Sequence, residues 1–273
     1  MDTMKRSCGR VILLDLVFLA LLIASSLCRG ILSDLLYYTG FLLPIGIGLF
    51  LIRGRPGIRL LPGKGDGGRF AGSLAFFAPT VGIVLLLSFL TSRILTHFGY
   101  RDEVSLSGNF ALDLLLHALI PAILEETLMR YIPLRMLGGN KRAAVLLSAL
   151  FFALIHVNLF RIPYAFAAGL CFALIDLYAG SILPSLLLHA LNNALSLLWA
   201  ANGESPVFRA VFLSALALLC AGSVVWLILR RKKYLARFRE VFAEKSKLFF
   251  PFSAILFAFL ALILAVTFLG VPS

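Results

Sequence analysis

The 273 residues are 61% hydrophobic and 14% charged, with 24 Phe and a mean hydropathy of +1.00. A water-soluble domain carries about 25% charged residues, and a disordered chain is poor in the Leu, Ile, Val and Phe abundant here, so both classes are excluded. The formal net charge of +12 does not call for a nucleic-acid partner, because most Lys and Arg lie between apolar runs, where they orient a chain in a bilayer.

Nine apolar runs follow in chain order, at 11–28, 35–52, 70–92, 110–129, 143–158, 163–179, 182–200, 207–229 and 249–269. A spanning helix needs about 20 residues, so the expected fold is all-α, a polytopic transmembrane helical bundle forming one membrane domain over 1–273. The first run follows Lys5, Arg6 and Arg10 in the manner of a signal peptide. Leu27 before Cys28 does not suit lipoprotein cleavage, and the run reads as a retained helix. The four cysteines have no metal-like spacing and read as small hydrophobes.

Two segments between the runs are basic. Residues 53–69 are rich in Gly, Pro and Arg and read as a flexible cytoplasmic loop. Residues 230–248 read as a solvated basic loop or an amphipathic helix against anionic headgroups. With the N-terminus inside, only Arg29, Arg93, Arg101, Arg161 and Arg209 of the 25 basic residues fall outside. That bias predicts a cytoplasmic N-terminus; the expected location is the cell membrane of a prokaryote.

Ionisable residues inside apolar spans carry the functional signal, because each costs free energy unless paired or hydrated. Asp15 and Asp176 stand singly, and helix–helix hydrogen bonds or interfacial positions account for them. Asp113 and His117 read as a structural i, i+4 pair near the outer end of the fourth run. Glu125 and Glu126 are different. On a helix, Glu126 faces Arg130 four residues on, while Glu125 is rotated about 100° away with no local partner. Pro121, four residues before Glu125, removes a backbone hydrogen bond and loosens the helix.

The fifth run carries Phe152 and His156, co-facial at i, i+4, with the imidazole deep in the apolar helix. The seventh carries His189 and Asn193 in the same spacing, and Asn192 on a neighbouring face. Taken singly, a structural histidine or interhelical hydrogen bonding explains each of these. Helix offsets bring Glu125, His156 and His189 to about 13–20 Å from the inner side, so all three meet around one cavity. A base, an imidazole and oxyanion donors at one depth are what activation of water requires.

In order, Glu125-Glu126-x-x-x-Arg130, Phe152-x-x-x-His156 and His189-x-x-x-Asn193 resemble the three motifs of the CAAX protease and bacteriocin-processing family of intramembrane endopeptidases, which includes the type II prenyl-protein proteases. The motif-bearing core covers 110–200, about a third of the chain. The resemblance implies that Glu125 activates water with the help of His156. It implies an oxyanion hole of His189 and Asn193, ordered from behind by Glu126 and Arg130. It also implies eight core spans, with 249–269 as an appended ninth helix.

The implied reaction is hydrolysis of a peptide bond in a membrane-associated, lipid-modified or C-terminal-tail substrate. The partners are then a peptide or protein at the membrane and the bilayer itself. No cofactor is expected; the alternative is Zn²⁺ held by Glu125, His156 and His189 from three helices. Two other functions use the same residues: a proton-coupled transporter with a Glu/His relay, and a non-catalytic membrane scaffold or immunity protein.

Overall fold

Every apolar run within the described residues folds as a helix, because a backbone removed from water must satisfy its own polar groups. The computed structural model describes residues 2–99, 106–156, 158 and 160–243. The run 249–269 and the end of the basic segment 230–248 lie outside them. The helices are α1 (Asp2–Leu27), α2 (Ile31–Ile52), α3 (Gly67–His97, with a 3₁₀ turn at Leu74–Phe76), α4 (Phe110 to Met136), α5 (Lys141–Leu154), α6 (Ile162–Ala179), α7 (Leu183–Asn202), α8 (Pro206–Leu229) and α9 (Arg231–Val241). Five of these elements (α1 from Arg6, α2, α3, α6 and α8) are long and apolar enough to cross a membrane. The fold is a polytopic helical bundle; among the described residues the only β-type pairing is a bridge between Arg59 and Ser181.

Local sequence sets the boundaries. Asn109 caps α4 by accepting from the Ala111 and Leu112 N–H groups, and Asn140 caps α5 through Ala143 N–H. Ser205 caps α8 ahead of Pro206, which fits the first turn because its missing N–H would be unpaired there anyway. Gly180 ends α6 in the left-handed conformation at φ 80°, its N–H bonded to the Asp176 carbonyl.

Helix α6 lies at the centre, packed against α3, α5 and α7, while α4 packs against α2 and α7. Phe18, Phe41, Leu128, Ile132, Phe152 and Phe172 belong to one buried core. Outward faces remain apolar, as at Leu42, Phe50, Leu86, Phe89 and Leu218, the pattern of helices facing lipid.

Helix α4 is continuous but not uniform. Its α-helical parts, Phe110–Leu114, Ile120–Glu126 and Ile132–Met136, are joined by π-helical turns at Leu115–Leu119 and Thr127–Tyr131. Each π turn is followed by a proline, Pro121 or Pro133. A proline ring clashes with the carbonyl four residues earlier, here His117 and Met129, both inside the π turns. Widening the turn relieves the clash, and the freed Met129 carbonyl accepts the Ser148 hydroxyl of α5. The loosening expected at Pro121 is thus a π turn, and it occurs twice.

Three expectations change. Helix α5 stops at Leu154, so His156 lies in the turn beyond the helix rather than deep within it. The segment 53–69 is docked, not loose: Arg59 exchanges backbone hydrogen bonds with Gly180 and Ile182, and Asp66 accepts from Gly63 N–H and pairs with Arg59 and Arg69. Arg135 also reaches back to the Arg55 carbonyl. Helix α9 is amphipathic, but its inner face packs on the bundle. Tyr234 and Phe238 close on Phe76 and Tyr178, and the Tyr234 hydroxyl donates to the Gly72 carbonyl at 2.9 Å.

Helices α5 and α6 meet closely at Gly169, where an added Cβ would stand 2.7 Å from the Ala149 Cα and 3.1 Å from its Cβ. Overpacking of this kind costs about 1–3 kcal/mol, so Gly169→Ala is expected to lower the melting temperature in detergent. Gly222→Ala, in open space on α8, is expected to leave the melt unchanged. Equal melts for the two variants would contradict this packing.

Candidate active site

Glu126 and Arg130 both sit on α4 and are completely buried. Arg130 Nη1 lies 3.3 Å from Glu126 Oε1, so the pair inferred from the four-residue spacing forms, although across an α-to-π junction. The same Oε1 accepts a 2.8 Å hydrogen bond from His189 Nδ1 of α7. Ser185, one turn before His189, lies beside the Glu126 carboxylate and donates its hydroxyl to the Ile182 carbonyl.

The guanidinium of Arg130 stacks over the Phe152 ring of α5, 3.8 Å from its centroid, and approaches the Phe172 ring of α6 at 5.2 Å. A desolvated cation over an aromatic face gains about 2 kcal/mol or more. Phe152 meets both histidines edge-on, with centroids 5.1 Å from His156 and 5.3 Å from His189. One phenylalanine therefore seats the cation and both imidazoles.

Glu125 takes the other direction. Its side chain is 13% exposed, and its Oε2 lies 3.9 Å from His189 Nε2, too far for a direct hydrogen bond. Among the described residues Oε2 has no hydrogen-bond partner. His156 Nδ1 contacts the Phe152 carbonyl at 2.7 Å. A carbonyl only accepts, so the N–H belongs on Nδ1, and a neutral ring presents a lone pair at Nε2. Asn193 follows one turn after His189, half-buried, and its side chain makes no hydrogen bond among the described residues. The sequence-predicted residues are thus brought together with the exception of Asn193, which is adjacent but uncommitted. No three His, Cys, Asp or Glu side chains among the described residues are grouped to share a metal ion.

Other side chains complete the site without having been singled out. Asp176, read from sequence as a lone carboxylate, is fully buried at the end of α6, and its Oδ1 accepts the Ser185 N–H at 3.1 Å. It also interacts electrostatically with Arg130 and Glu126. A carboxylate in the last turn of a helix opposes the helix dipole, so its place just before Gly180 was itself a sign of an outside partner. Arg161, expected in an outer loop, acts electrostatically on Glu125, and Tyr37 of α2 lies within the field of that carboxylate. The outer assignment of Arg161 hid its relation to the site, because α5 ends before His156.

An all-helical membrane bundle with a carboxylate pair, two imidazoles and a buried arginine has the composition of an intramembrane hydrolase centre. Comparison with known families supports that class: residues 107–195, about a third of the chain, match the family model described as Type II CAAX prenyl endopeptidase Rce1-like. The matched segment runs from the start of α4 into α7 and holds all three motifs. It bears out the resemblance read from them, and it supports CAAX-type intramembrane protease activity in general and an integral membrane protein. No curated protein and no solved structure matches the chain.

Arg130→Ala would leave the buried Glu126 carboxylate without its cation, a loss of about 3–5 kcal/mol. A large drop in melting temperature is expected, and Arg130→Lys should not restore it, because an ammonium does not reproduce the planar stack. Asp176→Ala should cost about 1 kcal/mol by removing an acceptor at the start of α7, whereas Asp176→Asn, which still accepts from Ser185 N–H, should cost less. Thermal melts of the four variants give the comparison.

Proposed function

We propose that the chain is an intramembrane endopeptidase that hydrolyses a peptide bond by a water molecule activated at Glu125. The observation that carries this reading is the division between adjacent carboxylates. Glu126 is bound to His189 and Arg130, while Glu125 Oε2 has no hydrogen-bond partner among the described residues and faces His189 Nε2 across 3.9 Å. That separation suits one shared oxygen between the two groups.

In the proposed reaction Glu125 takes a proton from water as its oxygen attacks the scissile carbonyl, and returns that proton to the amine as the C–N bond breaks. The His156 Nε2 lone pair accepts the second water hydrogen and fixes the attacking orbital. The oxyanion is stabilised by His189 and Asn193. In the proposed arrangement His189 donates from Nδ1 to Glu126 and from Nε2 to the oxyanion. Glu126 and Arg130 act by holding His189.

The substrate class is a membrane-associated, lipid-modified or C-terminal-tail polypeptide, cleaved near the cytoplasmic leaflet with the N-terminus of the chain inside. The proposed chemistry uses no metal; the alternative is Zn²⁺ on Glu125 and the Nε2 atoms of His156 and His189, whose Nδ1 atoms are held by the Phe152 carbonyl and Glu126. Stoichiometric zinc lost together with activity on chelation would overturn that part.

Comparative profiling of membrane-protein termini, in cells carrying wild-type or Glu125→Gln protein, should reveal cleavage products lost with the carboxylate. A transporter or scaffold would show none. On a cleavable reporter, Glu125→Gln and His156→Ala should each abolish turnover, and the double variant should be hardly worse, because groups acting on one water are non-additive. Asn193→Ala should lower turnover by about 10²–10³ with little change in substrate affinity, as for the loss of one oxyanion donor. Asn192→Ala should remain near wild type. An inactive Asn192→Ala beside a normal Asn193→Ala would refute the oxyanion assignment.

A further inference from the structure

At the end of the bundle where α2, α4 and α6 terminate, a cavity of about 600 Å³ opens between those ends and α9. Its polar lining is Arg55, Arg135, Lys141 and Arg237, with Glu240 as the acidic member. Glu240 accepts a 2.8 Å hydrogen bond from Arg237, which holds its carboxyl below the usual carboxylate range. Four cations therefore face one carboxylate, and that carboxylate is already paired.

These cations differ from the basic residues nearby. Arg230, Arg231, Lys232 and Lys233 are exposed and solvated, whereas the four in the cavity are half-buried. Like charges that share a partly desolvated space repel more strongly than charges in water. Three are anchored by the fold: Arg135 contacts the Tyr131 hydroxyl and the Arg55 carbonyl, Arg55 contacts the Leu51 and Met136 carbonyls, and Arg237 donates to the Tyr178 carbonyl. Their backbone anchors cancel no charge. Gly57, Gly138, Gly139 and Gly180 also line the cavity, leaving part of the wall free of side chains, and Ile58, Leu134 and Leu177 supply an apolar portion.

We infer that this cavity binds a phosphoryl anion carried on a larger group, a phosphate monoester. Guanidinium forks match phosphate oxygens geometrically. The surplus of positive charge suits a multivalent anion better than a single carboxylate. Two sources share that chemistry at the membrane boundary: the headgroup of an anionic lipid and a soluble phosphate compound.

The test uses the full chain purified in a neutral detergent, with thermal melts against inorganic pyrophosphate and, separately, short-chain phosphatidic acid. Saturable stabilisation by at least one probe is expected. Lys141→Gln should raise its half-saturation concentration about tenfold, the loss of one charge-assisted hydrogen bond. Glu240→Gln should lower it, because the opposing carboxylate is removed. Arg93→Gln, far along the sequence on α3, serves as the control and should leave it unchanged. A response to phosphatidic acid alone would identify a lipid headgroup as the source, and a response to pyrophosphate would show that the phosphoryl group suffices. Absence of saturable stabilisation by both probes, or a response that Lys141→Gln and Glu240→Gln leave unaltered, would overturn the inference.

Discussion

The burial of one guanidinium constrains the arrangement of the central helices. Arg130 has no exposed surface, and removing such an ion from water costs several kcal/mol unless charge and contacts replace the hydration. The replacement comes from separate helices. Glu126 lies on the same helix, Phe152 on α5, Phe172 and Asp176 on α6, while His189 of α7 bonds to the carboxylate that balances the cation. Rotating any of the four helices about its axis would withdraw one of these groups, so the pairing fixes their relative orientation.

That orientation reaches the site through the backbone of α4. A π turn adds a residue to the helical repeat, and such turns occur often at functional sites. Here one precedes and one follows the segment that bears Glu125 and Glu126. The carbonyl released by the second turn is not left unpaired, since Ser148 of α5 donates to it. Proline placement, helix irregularity and interhelical hydrogen bonding are therefore one device, which ties α4 to α5 beside the carboxylates.

Much of this was legible from the chain itself. Eight apolar runs reappear as helices within the described residues, because runs of that length and polarity have few alternatives in lipid. The Glu126–Arg130 pairing and the meeting of α4, α5 and α7 followed from four-residue spacings and helix offsets. What spacing conceals is the end of a helix: nothing periodic separates Leu154 from His156, and α5 was read as continuing to 158. Long-range partners were hidden for a similar reason. Asp176 and Ser185 lie on either side of a turn at Gly180, and only the direction of that turn brings the carboxylate to the start of α7. The loop at 53–69 has a flexible composition, yet its backbone is anchored by the Arg59 bridge to Gly180 and Ile182.

The early end of α5 bears on how hydrolysis is feasible within a membrane. Fourteen residues of helix span roughly 21 Å, short of the hydrocarbon thickness of about 30 Å. The helix therefore stops before a full crossing, and His156 stands in the turn just beyond it. Irregular backbone at that depth is tolerated only when it is buried in protein or lines a hydrated cavity. Here it lies beside Glu125, His189 and Arg130, all capable of ordering water. The interruption that would be costly against lipid supplies polar groups where the proposed reaction needs them.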